Sequence, residues 1–259
     1  MIDLHCHLLP GIDDGPATLD ESLALARALA EAGSMTVVAT PHVDHRWEVD
    51  PREIVPAVGR MAKHVAREGI GLEVRAGAEV ALPRFADLTP EELAMVRVGD
   101  GPYLLLESPH TAAAGDFHTF VATLARRGQR IVLGHPERCP SLQRRPDGVA
   151  KMVAEGVLCS ITAASLTGAF GEPVRSFALD LLRNGLVHNV ASDAHDAERR
   201  GPSLLDGLRA ADRELPGVMA QADWLTRGVP EAILSGTSLP PRPPLPARRR
   251  RLLSLVGRR

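Results

Sequence analysis

With 259 residues, 44% of them apolar and 24% charged, the chain has the make-up of a globular protein with a full core, and no run approaches the ~18 consecutive apolar residues of a membrane span. The net charge of −2 conceals a split: residues 240–259 hold seven of the 30 basic side chains and no acid, leaving 23 bases against 32 acids in residues 1–239. An acidic body argues against a nucleic-acid groove and suits a protein that gathers carboxylates around cations.

The chain opens on Met1-Ile2-Asp3-Leu4-His5, with no basic region and no cleavage site, so a secretory signal is not expected. A first strand is predicted over 2–5. Thr18 and Glu21 then form a capping box, Leu19, Leu23, Ala26 and Leu29 make an apolar stripe, and Gly33 stops the helix. Further strands are predicted over 35–40, 72–79, 103–107, 130–134, 157–161 and 187–192. Helical patterns lie at 51–68, 116–127, 145–155 and 172–185. This alternation implies parallel strands joined by right-handed crossovers. Seven strands fit an α/β fold closed, or nearly closed, into a barrel; an open doubly wound sheet is the alternative. The three cysteines, Cys6, Cys139 and Cys159, form no paired framework, which points to a reducing cytoplasm. After a domain at 1–239, the run Pro240-Pro241-Arg242-Pro243-Pro244-Leu245-Pro246 and Arg248 to Arg251 read as a polyproline spacer and a basic end. A solvated, disordered tail is the plain reading of 240–259, and weak attraction to an anionic membrane surface the functional one.

Six of the seven predicted strands end in a metal-competent side chain: His5 and His7, His42, Glu79, Glu107, His135, then Asp193 and His195. The sixth strand ends at Thr162 and is the exception. In a (β/α) barrel all strand C-termini converge on one face, so residues 190 positions apart can share a pocket. Taken singly, each residue has a bland reading. His5-Cys6-His7 and Asp193-Ala194-His195 place alternate side chains on one side of a strand but could be surface pairs. His42 and His135, both next to proline, could be satisfied loop histidines. Glu79 and Glu107 follow apolar runs and need a cation or an arginine partner on any reading. Together, five histidines and at least three carboxylates exceed the four to six ligands of one ion, so a multinuclear cluster is the simpler account. In Pro10-Gly11-Ile12-Asp13-Asp14-Gly15, either aspartate could be a ligand while the other shapes the turn.

Cys139-Pro-Ser-Leu-Gln-Arg-Arg145 matches the Cys-x5-Arg spacing of thiolate phosphatases. Pro140 removes an N–H that such a phosphate loop needs, no histidine stands immediately before the cysteine and no glycines follow within the loop, so Cys139 is read as structural.

The stretches MIDLHCHLLPGIDDGPATLDESL, VVATPH, GAEV, LLLES, GHPER, ITAASLTGAFG and NGLVHNVASDAH, in this order over residues 1 to 200, resemble the PHP (polymerase and histidinol phosphatase) superfamily. Within it they are most similar to the bacterial metal-dependent tyrosine-protein phosphatases of capsule and exopolysaccharide loci. The resemblance implies a distorted (β/α)7, TIM-like barrel with three divalent ions, usually manganese, with iron or zinc as substitutes. It assigns His5, His7, Asp14, His42, Glu79, Glu107, His135, Asp193 and His195 as ligands, with Glu79 bridging, and Arg138 and Arg200 as phosphate contacts. It also implies a phosphotyrosine protein as substrate, namely a membrane-associated bacterial tyrosine kinase. Cys139 and Ser108 stand where the family usually has aromatics, which bears on substrate preference more than on chemistry.

Three divalent cations against the carboxylates of Asp14, Glu79, Glu107 and Asp193 leave a surplus of two positive charges, close to what a phosphate monoester dianion needs. Water acidified by the cations is the expected attacking group. Tyrosine's phenol, with a pKa of ~10, leaves with little acid help, and no dedicated general acid stands out. Rival readings are a histidinol-phosphate-like small-molecule phosphatase and a metal-stabilised binding module without catalysis. An amidohydrolase with a carbamylated lysine is disfavoured, because Lys63 and Lys151 both fall in helical patterns.

Overall fold

The computed structural model describes residues 1–111 and 116–245. Its first βα unit forms for the reasons the sequence supplies. Thr18 Oγ1 accepts the Glu21 N–H at 3.3 Å, and Glu21 Oε2 in return accepts the N–H groups of Thr18 and Ala17, closing the cap of helix Leu19–Glu31. Of the predicted stripe, Ala26 and Leu29 are buried and Leu19 and Leu23 half-buried, with Leu25 joining the buried face, and Gly33, at φ +92°, ends the unit.

Nine strand segments follow in chain order: β1 (Ile2–Cys6), β2 (Thr36–Ala39), β3 (His42–Val43), β4 (Glu73–Ala76), β5 (Glu79–Ala81), β6 (Tyr103–Glu107), β7 (Arg130–Gly134), β8 (Leu158–Thr162) and β9 (Asn189–Ala191). They pair in parallel as β1-β2-β4 and β3-β5-β6-β7-β8-β9. The two ladders are one sheet. Its second stave is broken between β2 and β3 by Thr40-Pro41, where proline has no N–H to give, and its third between β4 and β5 at Gly77-Ala78. Backbone bonds carry the sheet through the breaks, from Thr40 N to Cys6 O, Gly77 N to Ala39 O and Glu79 N to Pro41 O. A Cβ at Gly77 would stand 2.7 Å from Val38 Cγ1, so glycine is needed there.

The ring closes between its last and first staves: Asp193 N donates to His5 O and His7 N to Ala194 O, both at 2.9 Å. Closure excludes the open doubly wound sheet and gives the distorted (β/α)7 barrel. The predicted strands reappear with small shifts, except that 35–40 and 72–79 run on past a kink to residues 43 and 81. The main helices span Pro51–Arg67, Phe117–Arg126, Asp147–Ala154, Glu172–Arg183 and Leu204–Glu214.

Residues 218–235 pack against the N-terminal ends of β6 and β9. Asn189 Nδ2 donates to Leu225 O at 3.1 Å, and a Cβ at Gly101 would clash with Ile233 O, so this pole of the barrel is covered. The predicted tail begins as an ordered strap over the same pole. Trp224 Nε1 donates to Pro240 O at 2.9 Å, while the Arg242 guanidinium lies 4.3 Å from the Trp224 ring centroid and donates to Val187 O. The end of contact with the barrel is therefore not at residue 239; residues 246–259 lie outside the described residues.

Candidate metal centre

With one pole covered, the other, where the strands end, collects the polar side chains. His5 and His7 come from β1 and its exit, His42 starts β3, Glu79 starts β5 and Glu107 ends β6. His135 follows β7 directly and Asp193 follows β9 after Ser192, both in left-handed backbone, at φ +34° and +52°. Non-glycine residues occupy that region at a cost of order 1–3 kcal/mol, a strain that clusters at functional sites. Here it turns each side chain inward at the strand end.

Five inter-donor distances define the centre of the cluster. His5 Nε2 and His7 Nε2 lie 3.3 Å apart; Glu79 Oε2 is 3.2 and 3.4 Å from them, and Asp193 Oδ1 is 3.5 Å from both. His5, His7 and Asp193 offer donor atoms close enough together to share one cation, with Glu79 Oε2 beside the two imidazoles. A second group joins Asp14 Oδ1 to His42 Nε2 at 3.4 Å and to His195 Nε2 at 3.2 Å. A third brings Glu107 and His135 together with His110. Glu79 stands at the junction, with Oε2 facing His5, His7 and His42 (Nδ1 at 3.2 Å) and Oε1 2.7 Å from His135 Nε2. Buried atoms without a hydrogen-bond partner include Glu79 Oε2, His42 Nδ1, His135 Nδ1 and His195 Nε2. An unsatisfied buried polar atom costs about 1–3 kcal/mol, and several meeting in one place fit cation ligation.

Surrounding groups aim these donors. Asp13, the other half of the acid pair, lies behind His7: its Oδ2 is 2.7 Å from His7 Nδ1 and accepts the His42 N–H at 3.0 Å. His195 Nδ1 donates to the Asp193 carbonyl at 2.9 Å, which leaves its Nε2 with the lone pair. Burial alone would raise the carboxyls of Glu79 and Asp193, but the imidazoles of His5 and His135 outweigh it and hold both well below the carboxylate range. Burial would also lower His7, yet its hydrogen bonds to Asp13, Asp193 and Glu79 and the charge of Asp13 raise it well above 6.5. Glu107, half-buried and facing the negative Glu79, is pushed up to about 7.

Two guanidinium groups flank the donors. Arg138 Nη1 and Arg200 Nη2 both donate to Asp193 Oδ2, at 2.7 and 3.1 Å. The cavity above measures about 200 Å³ and is also lined by Arg46, Trp47 and His110. A larger cavity, of about 890 Å³ between helices 147–154 and 172–183, has none of these donors, so chemistry and not size marks the site.

His110 is missing from the sequence reading. Its ring stacks on His135 with centroids 5.0 Å apart, and its Nε2 lies 3.7 Å from Glu107 Oε1. The available signal was Ser108-Pro109-His110, which repeats the Thr40-Pro41-His42 pattern at the end of a strand. Cys139 is buried and starts the short helix Pro140–Arg144, with Sγ 3.1 Å from Ser141 Oγ. Arg145 points out toward Asp116, so no phosphate loop forms there. Both lysines lie on helices away from the cluster.

A family model for capsular polysaccharide synthesis, CpsB/CapC, matches residues 1–234. The tyrosine-protein phosphatase YwqE of Bacillus subtilis (strain 168) is 29% identical over 253 residues, covering 97% of this chain and 98% of its own. The tyrosine-protein phosphatase CpsB of Streptococcus agalactiae serotype III (strain NEM316) is 28% identical over 223 residues, covering 83% and 90%. Among solved structures, a chain from the work on YwqE of Bacillus subtilis and CpsB of Streptococcus pneumoniae, described as unique metal-dependent tyrosine phosphatases, superposes with a TM-score of 0.82. It is 30% identical and covers 96% of this chain and 100% of that one. A D-hydantoinase, 14% identical, matches with a TM-score of 0.54 over 93% of this chain and 72% of its own, a likeness of fold alone.

Proposed function

The chain belongs to the CpsB/CapC family of capsular polysaccharide synthesis, and on that premise we propose that it is a metal-dependent protein-tyrosine phosphatase that works with three manganese ions. The observation that carries the reading is the division of labour within one carboxylate. Asp193 turns Oδ1 to the imidazoles of His5 and His7 and Oδ2 to Arg138 and Arg200. The cation cage and the guanidinium pair thus lie back to back, a fit for a dianion whose oxygens need positive charge from two sides.

The proposed metal ligands are His5, His7, Asp14, His42, Glu79, Glu107, His135, Asp193 and His195. This set of imidazoles and carboxylates, without a thiolate, suits manganese, with iron or zinc as substitutes. Divalent cations held there supply an acidified water near neutral pH and positive charge against phosphoryl oxygens. Arg138 and Arg200 orient the phosphate through paired N–H donors. Asp13 and the Asp193 carbonyl fix the tautomers of His7 and His195. The proposed substrate is a phosphotyrosine on a membrane-associated tyrosine kinase, met in the cytoplasm, with the basic residues beyond 245 giving weak contact with the membrane surface. Among the described residues no helix is long and apolar enough to cross a membrane.

The test pairs elemental analysis with turnover. Protein purified with manganese should hold close to three ions per chain and hydrolyse a phosphotyrosine peptide far faster than an alkyl phosphate, with loss of activity on chelation and recovery on adding manganese. A ratio near one would remove the trinuclear site. Equal turnover of histidinol phosphate would favour a small-molecule phosphatase, and no turnover with any divalent metal a binding module.

A further inference from the structure

We propose that Phe170 is a positioning residue for Arg138, and that the loop after β8, the one stave that supplies no candidate metal donor, is the mount for the guanidinium that grips phosphate. The proposal rests on the reading of Arg138 as a phosphate contact.

Two independent ties join this loop to Arg138. The first is through the neighbouring residue Glu137. Glu137, fully buried, accepts the Thr162 N–H at 2.9 Å and the Ser165 hydroxyl at 2.7 Å through Oε1, so the end of β8 and the helix after it are fastened to the residue next to Arg138. The second is through the side chain of Arg138 itself. The Arg138 guanidinium carbon lies 4.4 Å from the centroid of the half-buried Phe170 ring, inside the ~6 Å range of a cation–π contact. Gly168 and Gly171, at φ +88° and +89°, bracket Phe170 in backbone that other residues adopt only under strain. The bend they allow delivers the ring to the guanidinium.

The two contacts on Arg138 differ in what an arriving phosphate does to them. Asp193 Oδ2 takes donors from the edge of the guanidinium and shares itself with Arg200, so a dianion competes for that bond. Phe170 holds the face, for which a phosphate does not compete. A free arginine side chain has many rotamers; a ring on its face removes part of that freedom before substrate arrives, while the planar edge stays open to oxygens. The sixth stave thereby has a task although it brings no donor to the ions.

The test is a double-mutant cycle on the manganese-loaded enzyme, read as KM and kcat for a phosphotyrosine peptide, as competitive inhibition by inorganic phosphate, and as bound manganese. F170L and F170I, which keep apolar bulk without a π face, should each raise KM and the phosphate inhibition constant about 3- to 10-fold, the range set by a cation–π contact of this kind. The effect on kcat should be smaller and metal content unchanged. F170Y should restore both constants, and F170L placed on R138A should add nothing to the R138A effect. Full additivity of F170L and R138A, or loss of manganese in both F170L and F170I, would overturn the positioning role. If R138A itself leaves KM and phosphate inhibition unchanged, the reading of Arg138 fails first, and the inference with it.

Discussion

Asp13 Oδ2 lies 2.7 Å from His7 Nδ1, so this imidazole is held with only Nε2 turned toward His5, Glu79 and Asp193. The same carboxylate accepts the Gly15 N–H through Oδ1 and the His42 N–H through Oδ2, tying the turn before the first helix to the start of β3. Asp13 thus acts on the metal centre without being one of its proposed ligands.

Removing an outer carboxylate of this kind commonly lowers metal affinity 10- to 100-fold. Asp13→Ala should weaken manganese binding to chelator-stripped protein by about that factor, with Asp13→Asn intermediate because its amide oxygen can still accept from Nδ1. Titration calorimetry or competition with a metal indicator reads the change. Unaltered affinity in both variants would leave Asp13 a turn residue only.

Cys139→Ser should keep phosphatase activity, whereas His135→Ala should reduce it by at least two orders of magnitude. Cys139 is buried at the start of a short helix, while His135 meets Glu79 and Glu107 inside the donor cluster. The reverse pattern would indicate a thiolate nucleophile.

Glu107 gives the metal-free protein a distinct pH response. Burial and the charge of Glu79 raise its carboxyl from 4.5 to about 7 in the folded state. The folded chain therefore holds this proton more tightly than the unfolded chain, and the group's contribution to stability falls as pH rises from 4.5 through 7. Glu107→Gln should raise the melting temperature of chelated protein at pH 8, by roughly 2–8 °C for a domain of this size, and change it little at pH 4. The same substitution should weaken manganese binding. Equal shifts at the two pH values would contradict this account of Glu107.

Truncation separates the strap from the basic end. Ending the chain after Leu245 should leave thermal stability unchanged, because every strap contact described lies within 240–245. Ending it after Leu239 removes the Arg242–Trp224 stacking and the bonds to Pro240 O and Val187 O, and should lower the melting temperature by several degrees. Activity at 25 °C should survive both changes, since the strap lies at the pole away from the donors. Identical melting of the two truncated chains would return residues 240–245 to the role of a loose tail.

Much of this protein is written locally. A capping box at Thr18 and Glu21, a stripe that includes Ala26 and Leu29, and β-branched runs at regular intervals specify seven staves and their helices, because caps and periodicity act within a few residues. The metal-competent residues were legible for a related reason: parallel strands in a barrel point their C-termini to one face, so position in the strand already gives position in the pocket. His110 carries the same local mark as His42, in Ser108-Pro109-His110.

Tertiary structure alone decided the rest. Both Asp13 and Asp14 suit a turn and a ligand equally, and only the arrival of His42 and His195 from remote staves gives Asp14 its place beside their imidazoles and leaves Asp13 behind His7. Closure of the ring depends on Asp193 N reaching His5 O, across 188 positions. The pairing of Phe170 with Arg138 and of Arg242 with Trp224 likewise joins segments that carry no mark of each other. Propensity and pattern are short-range and survive in a linear string, whereas which oxygen faces which nitrogen is fixed by distances that exist only once the staves have closed.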